Sequence, residues 1–111
     1  MTYEKMSELL EEEIFPEIRR IREAGQKEYA RDKNDVLANF KRVSEWLGIS
    51  TEQVIGVYML KHIDGITSFI NGHKSQREDI TGRLTDVIVY STLLWALTTE
   101  ENDNDKKVQN N

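Results

Sequence analysis

Val54–Ile70, VIGVYMLKHIDGITSFI, and Ile80–Leu97, ITGRLTDVIVYSTLLWAL, decide how this chain folds. Both stretches are apolar on nearly every helical face, and neither alternates with the period of two that a half-buried strand requires. Val87-Ile88-Val89-Tyr90 is β-prone taken alone, but its flanks keep the helical period. Each stretch carries charge in its middle: Lys61, His62 and Asp64 in the first, Arg83 and Asp86 in the second. Charge inside a core is costly unless it is paired or meets a ligand. A polar cluster between these two helices is therefore the best candidate site.

The punctuation around the two stretches is that of a helical protein. Gly48 suits a helix stop. Ser50-Thr51-Glu52-Gln53 is a capping box, because the Ser50 hydroxyl and the Gln53 amide each satisfy an orphan backbone donor. Asn71-Gly72 ends this helix near Ile70, and Ile80 or Thr81 opens the last one, which is expected to reach about Thr99. His73 to Asp79 reads as a charged connection. Upstream, Met6, Leu9, Leu10 and Ile14 repeat at helical spacing after a Thr2 cap. Pro16 should break or kink that helix, with Phe15 biased out of the helical region. Ile18, Ile21, Gly25 and Tyr29 continue the stripe to a polar break at Arg31-Asp32-Lys33-Asn34. Asn34 or Asp35 then caps a short helix ending at Leu47. The expectation is one all-α domain over residues 1–99, a compact bundle of four main helices with the first interrupted at Pro16, followed by a disordered polar tail over 100–111.

Composition narrows the function classes. The chain has 111 residues, 38% hydrophobic and 32% charged, with net charge −5. Acidity argues against direct nucleic-acid binding, which normally shows a basic face. It leaves room for a protein that mimics nucleic acid and binds a basic partner. Cysteine is absent, so there is no disulfide, thiolate or zinc–cysteine chemistry, and a reducing cytoplasm fits. No apolar run reaches the length of a membrane span, and the opening Met1-Thr2-Tyr3-Glu4 is not a signal peptide. Two central helices apolar all round favour a homo-oligomer that covers them. Trp46 and Trp95 read as core or interface residues.

The candidate ligand-binding set is Lys61, His62, Asp64, Arg83, Asp86 and Tyr90. Lys61 and Asp64 lie i, i+3 on one stripe, and they either pair with each other or leave Lys61 for a phosphate or carboxylate. Arg83, Asp86 and Tyr90 form an i, i+3, i+7 row, either an interhelical clasp or a ligand wall of guanidinium, carboxylate and aromatic face. His62, alone among apolar neighbours, reads more readily as a satisfied interior residue than as a base. Glu28 can join Asp64 and Asp86 as three carboxylates around Mg²⁺. No catalytic residue is assigned, and outside that Mg²⁺ alternative no cofactor is expected.

Lys27-Glu28-Tyr29-Ala30, Asn39-Phe40-Lys41, Tyr58-Met59-Leu60-Lys61-His62 and Gly82-Arg83-Leu84-Thr85-Asp86-Val87-Ile88-Val89-Tyr90 together resemble a group of small phage and prophage proteins. These are distantly similar to the nucleotide modification associated domain of phage nucleotide-metabolism neighbourhoods. The resemblance runs from about Glu23 to Leu97 and implies an all-α protein of the bacterial host cytoplasm that handles a nucleotide-like ligand. The fold also resembles the all-α MazG-type pyrophosphohydrolases, which hold Mg²⁺ with two i, i+3 acidic pairs. Glu8 and Glu11 can supply one such pair. The second fails, because Arg83 stands three before Asp86. The sequence thus points first to a phage-type binding module that holds a nucleotide-like or other anionic molecule between the last two helices, acting in nucleotide metabolism or sequestering a host defence signal. A Mg²⁺-dependent nucleotide pyrophosphohydrolase and an acidic protein-binding inhibitor are the alternatives.

Overall fold

The computed structural model describes residues 1–109. Four helical rods build an all-α bundle with no strand among the described residues. The first rod is segmented: α1 (Tyr3–Leu9), a π-helical turn (Leu10–Ile14), α2 (Phe15–Gly25) and a second π turn (Gln26–Ala30). Then come α3 (Ala38–Leu47), α4 (Thr51–Ile70) and α5 (Ile80–Gln109).

Local chemistry accounts for most boundaries. The Thr2 hydroxyl accepts from the Lys5 N–H at 3.1 Å. Gly48 closes α3 in the left-handed region at φ 67°, where a side chain is disfavoured. Ser50 and Gln53 form both bonds of the capping box, at 2.9 and 3.1 Å. The Asp35 carboxylate accepts from the Leu37 N–H at the entry to α3.

Pro16 does not break the first rod, and Phe15 stays helical at φ −63°, ψ −44°. The interruption is one of register. The Phe15 N–H bonds back to the Leu10 carbonyl, five residues earlier, at the end of the first π turn. That wider loop relieves the contact a proline ring would otherwise make with the preceding turn. Pro16 then sits in the first turn of α2, where its missing N–H costs nothing. The second π turn closes in the same way: the Arg31 N–H reaches the Gln26 carbonyl at 2.9 Å and Arg31 turns left-handed at φ 55°. The Gln26 side-chain amide donates to the Asp32 carbonyl, and the Arg42 guanidinium donates to that of Tyr29.

α5 packs along α4 and also meets α2, while α3 packs on α4 and on the second π turn. Their shared core is Leu37, Phe40, Val54, Ile55, Val89, Leu93 and Leu97, flanked by Ile18 and Ile21 of α2. α1 buries no residue. Two expectations are corrected here. α4 buries only one side, carrying Val54, Ile55 and His62, whereas Val57 and Leu60 are exposed. Of the two places expected for Trp46 and Trp95, core or interface, the core is ruled out, since both are more than three-quarters exposed.

The last helix does not stop near Thr99 but continues to Gln109. Lys41 reaches Glu100 at 2.9 Å and Asp35 at 3.0 Å, pinning the start of this extension to the entry of α3. Lys106 and Lys107 fall in the last turn, where they complement the helix dipole. Of the expected tail, Asn110 and Asn111 lie outside the described residues. No helix among the described residues is long and apolar enough to cross a membrane.

Candidate functional site

A cleft of about 480 Å³ opens between the end of α2, the second π turn, α3, α4 and α5. It is not a groove of the last two helices alone. The π turn supplies Gln26, Glu28 and Tyr29 to one wall, and α3 supplies Asn39 and Phe40. α4 contributes Tyr58, Lys61 and His62, α5 contributes Asp86 and Tyr90, and the connection before α5 contributes Glu78. A π turn inserts one residue into a helical turn and redirects the downstream residues, and such turns recur at functional sites. In this chain it brings Glu28 and Tyr29 to face α5 at the end of the first rod.

The aromatic part of the cleft is ordered. The Tyr58 and Tyr90 rings stack at 6.0 Å with 13° between their planes. Phe40 meets both edge-on, at 5.9 and 6.1 Å. The His62 ring stacks on Tyr90 at 5.8 Å. Half-exposed Tyr58 leaves this assembly open to solvent on one side.

The polar part centres on His62, whose side chain is only 8% exposed. Its Nε2 lies 3.5 Å from Asp86 Oδ2 and its Nδ1 lies 3.9 Å from Glu78 Oε2. Arg83 approaches the same Glu78 oxygen at 3.7 Å. Its guanidinium lies over Gly65, where a Cβ would collide with it. Burial raises the Asp86 carboxyl above the ordinary carboxylate range. His62 and Lys61 pull it down and the Glu78 charge pushes it further up. The folded chain therefore binds this proton more tightly than the unfolded chain, so Asp86 adds stability as pH falls into the range just above 3.8.

Tyr90 is pushed up to about 12, by burial first and by the Asp86 charge second. A phenol that holds its proton more tightly when folded makes folding less favourable as pH climbs from 10 towards 12. Relative to Tyr90→Phe, the native chain should lose about 2 kcal/mol of stability by the top of that interval. Urea melts of both proteins across the interval measure it, and parallel curves would refute it.

Of the six ligand-binding residues expected from sequence, Lys61, His62, Asp86 and Tyr90 line the cleft. Arg83 stands behind it, turned to Glu78. Asp64 is exposed and does not line the cleft, so neither the Lys61–Asp64 pairing nor the Glu28–Asp64–Asp86 carboxylate set is assembled. The cause is the rotation of α4, which turns the His62 side inward and Asp64 out. Glu28 does line the cleft, while Glu8 and Glu11 do not. Sequence reading missed Glu78, Gln26 and Asn39. Glu78 sits in an irregular segment where no periodicity marks a facing side. No family model, characterised protein or solved structure matches this chain.

Proposed function

We propose that this chain is a binding module of the type found in phages and prophages, and that its cleft holds a small molecule with a planar ring and an anionic group, a nucleotide being the leading class. The observation that carries the reading is the cleft itself. Stacked Tyr58 and Tyr90 offer a ring-sized apolar surface, the amide of Asn39 offers directional hydrogen bonds, and Arg22 and Lys61 offer cations. Pockets that bind small molecules combine an apolar lining with a few convergent polar groups in this way. The reading requires no turnover and fits a protein of the bacterial host cytoplasm.

Mass spectrometry of small molecules released from the denatured protein tests it directly, as does calorimetry with nucleoside mono-, di- and triphosphates. Lys61 is exposed, so Lys61→Met should leave stability within about ±0.5 kcal/mol while weakening nucleotide binding at least tenfold, or about 1.4 kcal/mol. An unbound wild type, or a Lys61→Met protein that binds as tightly as wild type, would count against it. Pyrophosphate release from a triphosphate would instead favour a Mg²⁺-dependent hydrolase. A tightly co-purifying basic protein would favour the acidic inhibitor.

We also infer a homo-oligomer. Val57 and Leu60 on α4, Leu84 and Ile88 on α5, and Trp95 further along α5 leave a large exposed apolar area on so small a domain. Light scattering at micromolar concentration should give a mass of at least two chains. A single-chain mass would overturn this inference.

A further inference from the structure

The polar end of the cleft contains a mismatch of hydrogen-bonding groups. His62 is more than nine-tenths buried, and its Nδ1 has no hydrogen-bond partner. The atom facing that nitrogen, Glu78 Oε2 at 3.9 Å, is an acceptor, not a donor. In the tautomer that carries its proton on Nε2, Nδ1 presents a lone pair to a carboxylate. In that tautomer two acceptors face each other, and a cation between them satisfies both. The gap is too long for a charge-assisted hydrogen bond, which closes to about 2.7–2.9 Å. It suits two donor atoms sharing one metal ion at bond lengths of about 2.0–2.2 Å each.

We propose that His62, Glu78 and Asp86 form a divalent metal site of the Zn²⁺ or Mn²⁺ class at the polar end of the cleft. One ligand atom from each of the three lies within 4.8 Å of the other two, so modest side-chain movement brings them onto one ion. An imidazole with two carboxylates selects a transition ion over Mg²⁺ or Ca²⁺, which take oxygen ligands alone. Charge supports the assignment. Glu78 and Asp86 bring two carboxylates beside the buried imidazole, with side chains 38% and 27% exposed. Arg83 offsets part of their charge through Glu78, and Lys61 acts on Asp86 from the exposed side. Three protein ligands leave coordination positions open towards the cleft, where a phosphate or carboxylate oxygen can bind. The site is built differently from the carboxylate set expected from sequence, and it does not depend on the small-molecule reading.

Ions alone test it. The EDTA-treated chain is titrated calorimetrically with ZnCl₂, MnCl₂ and MgCl₂, and the two histidines are followed by NMR during Mn²⁺ addition. One ion should bind per chain, with Zn²⁺ or Mn²⁺ at least tenfold tighter than Mg²⁺. Mn²⁺ should broaden the His62 ring signals before those of exposed His73. Glu78→Gln, on a partly exposed connection and expected to fold, should weaken Zn²⁺ binding by about tenfold or more. His73→Gln should bind as wild type does. The proposal is overturned if wild type binds neither Zn²⁺ nor Mn²⁺, if Mg²⁺ binds as tightly as both, if His73 broadens first, or if a folded Glu78→Gln protein binds Zn²⁺ as wild type does. Should Glu78→Gln fail to fold, the order in which the two histidines broaden in wild type decides the matter.

Discussion

Ile55→Ala is expected to cost about 2–5 kcal/mol, a large share of the roughly 5–15 kcal/mol that holds a small domain together. Ile55 is fully buried and sits among Leu37, Phe40, Val54, Val89, Leu93 and Leu97, where α3, α4 and α5 meet. Alanine removes the apolar transfer of three carbons and leaves a cavity that three helices, each held by its own hydrogen bonds, cannot collapse to fill. The melting temperature should fall by more than about 10 °C. Two residues further along the same helix, Val57→Ala should change stability by less than about 0.5 kcal/mol when measured on dilute single chains, because Val57 is 61% exposed. The contrast tests which way α4 faces. Equal losses at the two positions would show that the helix is rotated away from this orientation.

That orientation is also where sequence reading stopped. The start of the first rod, the end of α3 and both ends of α4 were legible because single residues mark them chemically: Thr2, Gly48, the Ser50–Gln53 box and Asn71-Gly72 each satisfy or relieve particular backbone groups. The facing side of α4 was not. Amphipathicity fixes a helix's rotation only when one face is polar, and α4 has Val57 and Leu60 outside as well as Val54 and Ile55 inside. With the phase undetermined, Lys61, His62 and Asp64 read equally well as inward groups. Packing chose His62. The π turns were invisible for a related reason. The first adds one residue to a continuous helix and the second closes the rod, neither with a side-chain cap, and the second carries Glu28 to the cleft. Pro16 marked the place of the first, where the sequence suggested a break or a kink and the chain widens one turn.

Phe40→Ala should cost about 3–5 kcal/mol, and its effect should extend beyond the core. Phe40 is 4% exposed and touches two environments at once. One side belongs to the apolar cluster, and its ring meets Tyr58 and Tyr90 edge-on in the cleft. Each edge-on pair adds about 0.5–1.5 kcal/mol beyond the area it buries. Phe40→Leu restores much of the aliphatic burial but not those ring contacts, so its loss should fall between wild type and alanine. A double-mutant cycle of Phe40→Leu with Tyr58→Leu isolates one pair, and a coupling of about 0.5–1.5 kcal/mol is expected. The stack continues from Tyr90 to His62, so Phe40 supports the buried imidazole through one intervening ring. In Phe40→Leu the His62 ring should therefore show greater mobility in NMR relaxation, while exposed His73 stays as it is in wild type. A Phe40→Ala loss below about 1 kcal/mol, or a coupling of zero, would mean that the aromatic wall is not held together as these contacts describe.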